Sequence, residues 1–156
     1  EKVSGIQQDL KANGVYSVDK ELSDTISSYF WSSSSNQTEC RKTIQSIHRE
    51  FNYLVDPHTA VGIDVYDKYV ISAGDTTPAV AVSTASPFKF NKTVAESIFG
   101  EDSIKGKNEF DILKELSDKT GWDIPVPLRD LDKKPILHKR ICNVADMKNE
   151  VDNFLQ

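Results

Sequence analysis

Residues 79–90 read AVAVSTASPFKF, and the interpretation of this stretch decides the fold. Ala79 to Val82 are apolar at consecutive positions, the pattern of a strand covered on both faces in a parallel sheet. A Ser-Thr pair follows, then a proline, then a lysine between two phenylalanines. A strand over residues 79–83 is therefore expected, with small hydroxyl residues at its carboxy end. In open α/β sheets that end is where ligands sit.

The rest of the chain is dominated by helical periodicity. Residues 7–13 form the end of a helix stopped by Gly14, and Asp19 opens another with Leu22, Ile26, Tyr29 and Phe30 on one side. Ser32 to Ser35 form a loop. Asn36-Gln-Thr-Glu39 resembles a capping box, and Cys40, Ile44, Ile47 and Phe51 after it mark an amphipathic helix. Asp56-Pro57 is a helix start, with Asp as cap and Pro in the first turn. The helix it opens carries Val61, Val65 and Tyr69. Gly62 within it costs about 1 kcal/mol relative to alanine, so a close neighbour is expected there. Asn91 caps a helix through Ser97, and Asn108 or Glu109 starts one that ends at Gly121. Ile124 to Leu128 are extended by their prolines. Asp146 caps a last helix with Met147, Val151 and Phe154 inward.

About six helices and a single strand do not close a sheet. A strand's backbone donors and acceptors need neighbours, so the strand is expected to join a sheet whose other strands lie outside this chain. The start at Glu1, inside a structural element, points the same way. The chain reads as the carboxy-terminal part of a larger α/β protein.

Composition bounds the function. The 156 residues suffice for one domain with a core, and 38% hydrophobic with 28% charged residues is the balance of a soluble globular chain. A net charge of −5 and the lack of a basic run argue against a nucleic-acid partner. No run of 18 apolar residues is present, and the amino terminus has no signal-peptide pattern, so no membrane partner is expected. Cys40 and Cys142 match no metal spacing, and His48, His58 and His138 form no metal pair; no metal site is expected, and the cytoplasm is the expected compartment. Cys40 reads as a small buried hydrophobe. There is no GxSxG elbow and no Gly-rich phosphate loop.

Two signatures now stand about 20 residues apart: LVDPHTAVG (54–62) and VSTASPFKF (82–90). Together they resemble the threonine synthase family, pyridoxal-phosphate enzymes of fold type II. There a DPHTA-type helix start precedes a strand ending in a TAHPAKF-type motif. The Gly-Val-Tyr-Ser-Val lead (14–18), Phe30-Trp31 and the later helices extend the likeness over most of the chain.

The resemblance implies that residues 1–100 are the end of the large cofactor-binding domain and residues 101–156 a helical extension. It implies pyridoxal 5'-phosphate as cofactor, with Thr84 beside the pyridine nitrogen. Ser83, Ser86, His58 and Thr59 are weaker cofactor-binding candidates. His58 and Thr59 stand in a helix first turn, where free backbone amides attract anions. Lys89 is placed as scaffold: the family's Schiff-base lysine lies upstream, so no catalytic residue is expected in this chain. Most phosphate-binding groups are likewise expected upstream.

The implied reaction is conversion of O-phospho-L-homoserine and water to L-threonine and phosphate, the last step of threonine biosynthesis. γ-Elimination of phosphate would be followed by water addition at the β-carbon. The implied partners are that substrate and the upstream part of the same polypeptide, with a homodimer left open. The segment alone is expected to be inactive. One departure stands out: the family usually has histidine where this chain has Ser86, and alanine where it has Phe88. A threonine-synthase-like phospho-lyase and a non-catalytic helical interaction module are the alternatives.

Overall fold

The computed structural model describes residues 2–137 and 139–155. Glu1 and His138, both named above, lie outside them. Among the described residues seven helices follow one another: α1 (Lys2–Asn13), α2 (Lys20–Tyr29), α3 (Gln37–Phe51), α4 (Pro57–Ala73), α5 (Asn91–Phe99), α6 (Glu109–Thr120) and α7 (Met147–Phe154). Short 3-10 turns at Pro87–Phe90 and Glu101–Ile104 flank α5. None of the helices among the described residues is long and apolar enough to cross a membrane.

The boundaries follow local chemistry. Asp19 accepts from the Leu22 amide at 2.9 Å and opens α2. The box at α3 is complete: the Asn36 side chain accepts from the Thr38 and Glu39 amides, and Glu39 accepts from the Asn36 amide at 2.7 Å. Asn108 caps α6 in the same way. Helices α4 and α6 end at Gly74 and Gly121, whose positive φ of 65° and 74° is the left-handed conformation glycine adopts without strain.

The core is built by α3 packing on α4 and α5, and α5 on α6. Ile44, Leu54, Val55, Ala60, Phe88, Val94, Leu113 and Leu116 form it. Ile44 and Leu116 are fully buried, each contributing about 1.5–3 kcal/mol relative to exposure. Arg41 of α3 clamps the far side, donating to Glu96 at 2.8 Å and to Glu101 at 2.7 Å. Trp122, after α6, stands edge-on to Tyr53 at 5.1 Å, and Trp31, after α2, edge-on to Tyr69 of α4 at 5.6 Å.

Several expectations need correction. No strand is present among the described residues: 79–83 carry no ladder, and Val80 and Val82 are 89% and 76% exposed. A strand exists only through hydrogen bonds to a neighbour, and the described residues supply none, so what they show of an α/β fold is the helical part. Asn91 does not cap α5; the preceding turn runs into the helix, and the Asn91 side chain instead donates to the Glu109 carbonyl at 3.1 Å. Residues 126–128 close into a 3-10 turn rather than staying extended. Asp146 makes no cap bond because its backbone is already helical (φ −95°, ψ −6°), and Met147, Val151 and Phe154 face solvent. No atom lies within 4 Å of a side chain placed at Gly62, so its cost is not explained by a close neighbour.

Candidate functional site

The site starts from a buried carboxylate. Leu54 and Val55, each 2% exposed, carry the chain out of the core into Asp56, which has no exposed surface. Asp56 caps α4. Its Oδ1 accepts from the His58 amide at 2.9 Å and from the Thr59 amide at 3.4 Å. His58 Nδ1 lies 3.1 Å from the same oxygen. The other oxygen, Oδ2, accepts a short hydrogen bond from the Thr59 hydroxyl and lies 3.4 Å from Ser83 Oγ. Burial alone would push this carboxyl up; the donors from Thr59 and His58 outweigh it and hold the group below the ordinary aspartate value.

The His58 and Thr59 amides are not free: Asp56 already fills the place before them with an internal negative charge.

The second wall is the segment after α4. Beyond Gly74, Asp75 accepts from the Tyr69 hydroxyl at 2.7 Å and from the Thr77 amide at 2.9 Å. Those hydrogen bonds lower the Asp75 carboxyl to about 2. The Tyr66 hydroxyl donates to the Thr77 carbonyl at 3.4 Å, so residues 75–84 return along α4. The return is fastened at its far end by Ser83 and Thr59, whose hydroxyl oxygens are 3.0 Å apart. A hydroxyl has one proton; with Thr59 giving its own to Asp56, Ser83 supplies the other.

Between the walls lies a cavity of about 350 Å³, with His58, Thr59, Gly62 and Tyr66 on the α4 side and residues 79–82 with Thr84 opposite. Three expected site residues, His58, Thr59 and Thr84, therefore meet at one cavity. Ser83 reaches it through Thr59. Ser86 does not line it: its hydroxyl accepts from the Phe88 amide at 3.3 Å and caps the turn after it. Lys89 is exposed and is not part of the lining either.

Sequence reasoning treated Asp56 as a helix cap and missed it as the hub of the site. Thr59 at the third helical position was the available signal. The Ser83 contact, 27 residues away, left no trace in the spacing. Among the described residues no group of three or more His, Cys, Asp or Glu side chains is placed to hold a metal ion.

Comparison with known proteins adds the following. The family described as "Threonine synthase, C-terminal" matches residues 59–152. Threonine synthase of Saccharomyces cerevisiae is 33% identical over 98 residues, covering 60% of this chain and 19% of that protein. Threonine synthase of Corynebacterium glutamicum is 35% identical over 69 residues, covering 44% of this chain and 14% of that one. Among solved structures, pyridoxal-phosphate-bound threonine synthase from Brucella melitensis superposes with a TM-score of 0.62 at 28% identity, covering 86% of this chain and 24% of that chain. The chain thus spans between 14% and 24% of the length of these relatives.

Proposed function

Because this chain belongs to the threonine synthase family, matching its carboxy-terminal region, we infer that it forms part of a pyridoxal-phosphate-dependent lyase that converts O-phospho-L-homoserine and water to L-threonine and phosphate. The observation that carries this is the cavity in which the two family-like motifs face each other, joined through Asp56, Thr59 and Ser83.

The residues present fit the cofactor's ring but not its phosphate. A volume of about 350 Å³ lies within the range of small-molecule sites, roughly 300–1,000 Å³. No lysine, arginine or carboxylate lines the cavity, and the α4 amides are taken by Asp56. The phosphate therefore needs groups from outside this chain, as does the Schiff base, since Lys89 is not part of the lining. When bound, pyridoxal phosphate supplies the electron sink for carbanion chemistry. Thr84, on the cavity wall, would stand at the pyridine nitrogen, where a neutral hydroxyl would make a hydrogen bond without forcing protonation. Ser83 and Thr59 hold the Thr84-bearing segment in place. Exposed Val80 and Val82 support the further reading that residues 79–83 complete a sheet in the whole protein, since an unpaired edge is a template for another strand.

The test is phosphate release and threonine formation by the complete polypeptide, by the 156-residue chain alone, and by a Thr84→Val variant. The complete enzyme is expected to turn over, and the isolated chain is not. Thr84→Val is expected to lose roughly tenfold in kcat, about 1.4 kcal/mol, with Thr84→Ser near wild type. A covalent pyridoxyl label on Lys89 after borohydride reduction of the isolated chain would overturn the assignment. Ser86, engaged in capping its own turn, offers no imidazole; phosphate release without threonine would select the phospho-lyase alternative.

A further inference from the structure

The partner of His58 is unlike His58 itself. Its side chain is 70% exposed, while the carboxylate it touches has no exposure at all. An exposed histidine in a first helical turn needs no buried anion behind it. Asp56 is also immobilised: Oδ1 is held by the His58 and Thr59 amides and Oδ2 by the Thr59 hydroxyl. It cannot follow a wandering ring, so the ring is fixed to it. Phe90 restrains the same ring edge-on, at 4.9 Å and 65°. An ionised carboxylate only accepts, so a neutral His58 must donate through Nδ1, leaving the lone pair on Nε2.

We propose that His58 is a ligand-contacting residue of this cavity, presenting Nε2 as a hydrogen-bond acceptor to a proton-bearing group of the amino-acid substrate, and that Asp56 is the residue that positions it. One carboxylate then places both walls: His58 directly, and the Thr84-bearing segment through Thr59 and Ser83. The substrate half of this rests on the function proposed above. The orientation half rests on the geometry alone.

The test separates the two nitrogens. In His58→Asn the amide nitrogen reaches the Nδ1 place and keeps the bond to Asp56; in His58→Gln the amide group reaches the Nε2 place. In the complete enzyme loaded with pyridoxal phosphate, His58→Asn is expected to keep the melting temperature and cofactor absorbance of wild type. It is expected to raise KM for O-phospho-L-homoserine at least tenfold, with His58→Gln recovering most of that loss. Imidazole nitrogen NMR of the holoenzyme should show His58 protonated at Nδ1, moving to Nε2 in Asp56→Asn. Wild-type kinetics in His58→Asn, equal loss of melting temperature in both His58 variants, or an Nε2-protonated ring in the wild type would each overturn the proposal. Absence of turnover by the wild type would sink the functional reading instead, while the NMR result would still decide the orientation. If Asp56→Asn does not fold, the His58 pair and the wild-type spectrum decide alone.

Discussion

Helices α2 and α3 obey the same local rules and meet opposite fates. Each opens at a side-chain cap, Asp19 or Asn36, and each carries an apolar face. Helix α3 buries Ile44 completely and Cys40 to 7% exposure. Helix α2 buries nothing: Ile26 is 45% exposed and Tyr29 81%. Capping is settled within four residues, whereas burial depends on what else is present. An amphipathic face states a demand for cover without saying where the cover is. Helix α7, with Met147 and Val151 more than half exposed, repeats the case of α2.

The largest effect should come from the buried side of this contrast. Ile44→Ala should cost about 2–5 kcal/mol in urea unfolding of the 156-residue chain, while Ile26→Ala stays within about 0.5 kcal/mol. Equal costs would break the contrast and mean that α2 is covered in solution. In the complete polypeptide Ile26→Ala should rise above about 1 kcal/mol if the missing part provides that cover.

Next comes Asp56. Asp56→Ala leaves buried donors without an acceptor and should cost about 1–3 kcal/mol. The pH dependence has a definite sign. Asp56 and Asp75 are both held below the ordinary aspartate value, so their contributions are complete above the unfolded value of about 3.9 and are lost as pH falls through the folded one. For Asp75 the folded value is about 2, so Asp75→Asn should flatten acid unfolding between roughly pH 4 and 2, read by circular dichroism. A wild-type acid profile in that variant would show that the turn after α4 adds nothing to stability.

The smallest effects compare two caps. Asn36→Ala should cost about 1 kcal/mol by thermal melting, and Asp146→Ala close to nothing, because Asp146 makes no cap bond.

What could be read from the sequence follows the same division. The Asn36–Glu39 box, the Asp56-Pro57 start and the glycine stops are short-range, and the structure has them where they were expected. The inward face expected for Met147, Val151 and Phe154 was a claim about distant neighbours, and it does not hold among the described residues. The strand over residues 79–83 also depended on atoms outside its own segment. At the site, His58, Thr59 and Thr84 were legible because two short motifs carried them. The hydroxyl and carboxylate contact between Ser83 and Asp56 was not, because a hydrogen bond across a non-helical return has no period to detect.

The two tryptophans lie on opposite sides of this division. Trp122 leans on Tyr53 beside the core, and Trp31 leans on Tyr69 at the edge of the poorly covered arm. Replacing either with phenylalanine leaves one tryptophan, so selectively excited tryptophan fluorescence becomes a separate optical channel for each region. A red shift from Trp31 at lower denaturant than from Trp122 would register the arm peeling away first, as non-coincident transitions rather than a single cooperative step.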